Sequence, residues 1–144
     1  MHRQLADLLV EHNLLTCSAE EAFDKGLTEP FCPHGLGHLL GIQVHDVGGH
    51  QINLKGEKAP PPASYSTLRL TRPLDIDMVL TIEPGLYFIP SLLEPLKQAK
   101  AAVNWQKIAA LMPFGGIRIE DNVCVTQASS RNLTRDAFAL AANA

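Results

Sequence analysis

No CxxC pair occurs in this sequence: its three cysteines, Cys17, Cys32 and Cys124, are scattered and odd in number. That excludes zinc-ribbon and thioredoxin-type readings and favours a reducing, cytoplasmic setting. No apolar run approaches the ~20 residues a membrane-spanning helix requires. The opening residues Met1 to Gln4 begin an amphipathic segment and do not read as a secretory leader. A basic patch is missing as well. The net charge is −3, so neither nucleic acid nor a membrane surface is an expected partner. Internal repeats and low-complexity tracts are absent too. What remains is 144 residues, 46% hydrophobic and 19% charged, enough for one ordinary globular domain with a real core.

Hydrophobic spacing places the elements. Leu5, Leu8, Leu9, His12 and Leu15 recur at helical intervals, predicting an amphipathic helix over 2–15. Ser18 with Glu21 forms a capping box for a short helix over 19–25, which Gly26 stops. Residues 28–41 are rich in Pro and Gly and read as loop, with "GIQVHDV" (41–47) as a strand beyond it. The proline run in 55–66 is a solvent loop. "MVLTIEPGLYFI" (78–89) reads as a strand interrupted by the Pro84-Gly85 turn. Pro95 is expected to break the start of 91–112, leaving Ala101–Leu111 as helix. "FGGIRIEDNVCVT" (114–126) is a glycine turn feeding an alternating strand, and a short helix or frayed end comes after Arg131.

Chemistry concentrates in "PHGLGHLLGIQVHD" (33–46), which holds His34, His38 and His45, half of the six histidines. Each alone reads as a hydrogen-bonded structural group, and the spacing is not that of a zinc protease helix. Strand alternation puts Thr81 and Glu83 on one face, and Arg118, Glu120 and Asn122 on one face of the later strand. Each strand then sends a carboxylate into an apolar surrounding, where it needs a cation or a metal. Arg118 is one such cation for Glu120. Histidines together with two strand-borne glutamates also suit a site with oxygen-rich ligation of Mn²⁺ or Zn²⁺.

"PHGLGHLLGIQVHDVGG", "MVLTIEPGLYFI" and "FGGIRIEDNVCVT", in this order and spacing, resemble the pita-bread metallopeptidases, and within them the bacterial Xaa-Pro dipeptidases, or prolidases. The likeness runs from the first helix to about Arg135. It implies an α+β fold in which an antiparallel curved sheet carries flanking helices. It also implies hydrolysis of dipeptides ending in proline by a metal-activated hydroxide, at a site with two divalent ions, commonly Mn²⁺, with Zn²⁺ or Co²⁺ as alternatives. By the same resemblance His38, Glu83 and Glu120 are metal ligands, with Glu120 bridging, and Glu83 doubles as general base. His34, His45 and Arg118 handle the substrate.

The family's other two ligands are aspartates from earlier strands, and Asp46, Asp75, Asp77, Asp121 and Asp136 all occupy other motif positions. Residues 1–144 are therefore expected to form the C-terminal part of the catalytic domain, without the N-terminal domain and without the strands that carry those aspartates. Two carboxylates and one imidazole balance one divalent ion, so a single weak site is expected. A separate upstream chain and a second copy are the expected protein partners. The rival readings are an organophosphate-ester hydrolase of the same family, and a non-catalytic remnant or binding module. The family's Pro-Gly turn before Met78 is missing, so Asp75 to Asp77 must turn by another route.

Overall fold

A computed structural model describes residues 1–143. Its elements in chain order are α1 (His2–Glu11), α2 (Ala19–Asp24), β1 (Val79–Ile82), β2 (Gly85–Tyr87), α3 (Pro90–Gln98), α4 (Trp105–Leu111), β3 (Gly116–Arg118), β4 (Asp121–Val125), β5 (Ser130–Asn132) and α5 (Leu133–Ala142). They fall into two units. One comprises Met1–Pro33 with Gly85–Arg118, the other His34–Pro84 with Ile119–Ala144.

The first unit is mainly helical around an apolar cluster. Ala6 and Leu9 of α1 pack with Leu14, Leu15, Ala22, Leu27, Phe31, Phe88, Leu93, Val103 and Ile108. Phe31 and Phe88 meet edge to face with ring centroids 6.2 Å apart. The first helix ends at Glu11, short of the expected residue 15, because Asn13 takes a left-handed φ of 54°. Leu14 and Leu15 are consequently extended, and Leu15 pairs with Val103. Ser18 caps the second helix as expected, accepting from the Glu21 N–H, while the Glu21 carboxylate turns to Lys25 and does not complete the box. Two expectations need correction. Pro95 lies inside α3 without breaking it, because Leu93 is buried and Leu96 packs on the core. And α4 starts at Trp105, where Asn104 caps it, since Val103 is held extended against Leu15. In the same unit β2 and β3 pair antiparallel, Gly85 opposite Arg118.

The second unit is built on an antiparallel sheet in the order β1-β4-β5, with α5 against β4. Thr81 lies opposite Asn122. The single strand expected over 114–126 is thus two, β3 and β4, in different sheets, so Arg118, Glu120 and Asn122 do not share one strand face. Residues 41–47 are not a strand either. The pairing beside β1 ends at Leu40, which donates to the Val79 carbonyl at 2.9 Å. With nothing to pair or pack against, Ile42 is fully exposed at 104%. Ahead of β1, Met78 N–H donates to the Asp75 carbonyl, closing a turn with Asp77 at φ 69°. That is the residue where a type II turn favours glycine, so Ile76-Asp77 does the work of Pro-Gly.

Asp121 ties β4 to β5 and α5. Its carboxylate accepts from Asn132 at 2.8 Å and from Arg135 Nε at 3.0 Å, and Asn132 caps α5 by accepting from the Arg135 N–H. The Asn132 and Arg135 hydrogen bonds hold the Asp121 carboxyl below the usual carboxylate range. A lowered folded-state value means that the stabilisation is present above the unfolded value, about pH 4, and is lost as pH falls through the folded one. The midpoint of urea unfolding should therefore drop with acid more steeply in the wild type than in Asp121→Asn. Parallel profiles for the two proteins would mean that the clamp contributes nothing.

Candidate metal centre

The site begins with a close backbone approach. Residues 36–40 run antiparallel beside β1: Thr81 N–H donates to the His38 carbonyl at 2.9 Å, and Glu83 N–H to the Leu36 carbonyl at 2.7 Å. A Cβ on Gly37 would lie 1.8 Å from the Thr81 carbonyl oxygen, so only glycine lets the strands come this near. This contact seats the two side chains that matter most. His38 is 3% exposed and Glu83 8% exposed. His38 Nε2 stands 3.5 Å from Glu83 Oε1.

The tautomer of His38 is set by its other nitrogen. Nδ1 lies 3.1 Å from the Leu39 carbonyl oxygen, an acceptor only, so Nδ1 carries a hydrogen. In the neutral ring Nε2 then presents a lone pair to a carboxylate oxygen. Two acceptors facing each other in a buried place call for a positive species between them, a proton or a cation. The pair therefore fits as part of a divalent-metal ligand set. Among the described residues, however, no group of three or more His, Cys, Asp or Glu stands close enough to hold a metal ion.

The remaining expected site residues are arranged around this pair or apart from it. His45 stacks edge to face on His38, ring centroids 4.4 Å apart. Partial loss of solvent, and then the Arg69 charge, push the His45 imidazole below its ordinary value, while Glu83 and Glu120 act in the opposite direction. Glu120 is thus within electrostatic reach of His45, although it is solvent-exposed and not turned into an apolar surrounding. His34 donates from Nδ1 to the Gly35 carbonyl at 2.8 Å. Arg118, on β3, donates from Nε to the Tyr87 hydroxyl at 2.6 Å, and its guanidinium lies 5.7 Å from the Tyr87 ring centroid.

Three residues that contact or act on the expected ones were not singled out from the sequence: Thr81, Arg69 and Tyr87. Thr81 had a signal, its place two residues before Glu83 on the same strand face. Arg69 had none, because it stands in a loop without periodicity.

A tight backbone pairing, a buried imidazole and a buried glutamate thus come together in the second unit. Residues 3–127 match the model of metallopeptidase family M24, and the chain belongs to that family. It is 51% identical over 137 residues to a Xaa-Pro dipeptidase of Shewanella denitrificans and 53% identical over 138 residues to one of Escherichia coli O7:K1. In each case the match covers 94% of this chain and 31% of the relative, so the chain spans about a third of their length. Among solved structures it resembles Escherichia coli aminopeptidase P with the inhibitor Pro-Leu, with TM-score 0.62 and 32% identity. The zinc-substituted form of that enzyme in complex with product gives the same values, and both matches cover 94% of this chain and 24% of the other. These likenesses make the architecture the α+β pita-bread fold.

Proposed function

We propose that this chain carries one side of a metal-dependent Xaa-Pro dipeptidase centre and hydrolyses dipeptides with C-terminal proline only when the rest of that centre is supplied. The buried His38–Glu83 contact within the family-matched segment carries the reading. His38, Glu83 and Glu120 would hold the cation, Mn²⁺ being the first choice for one imidazole with two carboxylates, ahead of Zn²⁺ or Co²⁺. A divalent cation bound there would supply Lewis-acid polarisation of the scissile carbonyl.

The chain's own groups do the rest. Glu83 accepts the proton of the attacking water, the usual task of a carboxylate base. His45, its charged form disfavoured by partial loss of solvent and then by Arg69, donates an N–H to the carbonyl oxygen as negative charge develops there. His34 and Arg118 hold the dipeptide. Two carboxylates and one imidazole balance a single divalent charge, so the chain by itself is expected to be inactive. The partner is then the remaining two thirds of the family protein, and the cysteine usage supports a reducing, cytoplasmic setting.

Proline release from a Xaa-Pro dipeptide with Mn²⁺ tests this. The chain alone should release none, and a mixture with the complementary part of a bacterial relative should be active. In the mixture His38→Ala should lower the rate by more than about a hundredfold. Robust release by the purified chain alone, indifferent to His38→Ala, would overturn the reading.

A further inference from the structure

The pairing of residues 36–40 with β1 has an irregular rung. Leu40 to Val79, Thr81 to His38 and Glu83 to Leu36 are ordinary backbone hydrogen bonds. A further donor of the ladder, the His38 N–H, would in a regular antiparallel pair meet the Thr81 carbonyl. It goes instead to the Thr81 hydroxyl oxygen, at 3.0 Å. That hydroxyl has one hydrogen to give, and gives it to Glu83 Oε1 at 3.4 Å. The same oxygen, Oε1, is the one 3.5 Å from His38 Nε2. The contacts close on themselves: from the His38 main chain through the Thr81 hydroxyl and the Glu83 carboxylate to the His38 ring.

We propose that Thr81 is a positioning residue that sets the His38 ring and the Glu83 carboxylate in one arrangement for a divalent cation. The proposal rests on the metal-centre reading above. Three observations carry it. Thr81 is completely buried, so no water competes for its hydroxyl. Gly37 sits against its carbonyl so closely that the rung cannot take its regular form, which leaves the hydroxyl as the acceptor for His38 N–H. And a hydroxyl is the one group at this place that both accepts from a backbone N–H and donates to a carboxylate. Serine retains those two functions. Valine has the shape of threonine and neither function.

The test compares Thr81→Ser and Thr81→Val with the wild-type chain, using Mn²⁺ alone as the calorimetric probe, and backbone amide exchange and ring nitrogen shifts of His38 by NMR. Thr81→Val should weaken Mn²⁺ binding by about tenfold or more, in the range for loss of a group that orients a ligand. It should speed exchange of the His38 amide by about tenfold while the Leu40 amide stays as it was. Thr81→Ser should restore both. Should Thr81→Val not fold, Thr81→Ala, which removes the hydroxyl without adding bulk, takes its place against the serine variant. Equal Mn²⁺ affinity in the valine and serine variants, or unchanged His38 exchange and ring shifts, overturns the proposal. If the wild type binds no Mn²⁺, the metal-centre reading fails by itself. The exchange and ring-shift comparison then decides whether Thr81 positions the pair.

Discussion

Gly37→Ala should abolish the seating of His38 against Glu83 and destabilise the unit that contains them, lowering its urea midpoint by the equivalent of on the order of 3 kcal/mol. The new Cβ would stand 1.8 Å from the Thr81 carbonyl oxygen and 2.8 Å from its carbon. Both are backbone atoms of β1, which is itself paired with β4, so nothing flexible can move aside. The strand at 36–40 must therefore lift away from β1. That costs the hydrogen bonds from Thr81 and Glu83 to His38 and Leu36. A replacement at the exposed Gln43, by contrast, should stay within about 0.5 kcal/mol of the wild type. Denaturant titrations of the two variants make the comparison, and a Gly37→Ala protein that unfolds with the wild type would refute the close approach.

The second large effect concerns apolar surface. Ile42 and Leu54 are fully exposed, and Val44, Val47 and Leu140 are mostly so, all in the unit that holds the His38–Glu83 pair. Each side chain of this size yields about 1.5–3 kcal/mol when fully buried. Left in water together, they favour any arrangement that covers them. The chain alone should self-associate, with a sedimentation coefficient that rises with concentration and strong binding of an apolar dye. Ile42→Ser with Leu54→Ser should reduce both, and so should mixing with the complementary part of a family relative. A monomer at every concentration, without dye binding, would contradict this.

Much of the arrangement was legible in the sequence because it depends on local signals. The Ser18 cap, the break of the strand at Pro84 and the shared face of Thr81 and Glu83 each need only neighbours a few residues away. What escaped depends on distant contacts. Leu14 and Leu15 leave the helical pattern because Val103 pairs with Leu15. The break between Arg118 and Asp121 arises because β3 has β2 as partner while β4 has β1. "GIQVHDV" has a strand's alternation but turns back, its Asp46 N–H reaching the Leu39 carbonyl, so the pattern alone misled. Of the expected site residues, His38, His45 and Glu83 come together, and residue type and strand alternation single them out. The hydroxyl rung was not legible, because it exists only where Gly37 meets β1 across the sheet.

The Asp121 clamp differs in kind from the contacts around His38. Arg135 Nη2 and Asp121 Oδ1, 2.9 Å apart, form an ion pair whose arginine is largely in solvent. Ions in solution screen such a pair over about 8–10 Å at ordinary ionic strength. The hydrogen bonds joining Thr81, Glu83 and the main chain at 36–40 are buried and not screened in this way. Glu120 is the residue immediately before Asp121, whereas His38 and Glu83 stand on the buried rungs. Raising the salt concentration should therefore loosen the anchorage next to Glu120 while leaving the His38–Glu83 pair in place, so neighbouring parts of one unit answer to different properties of the medium.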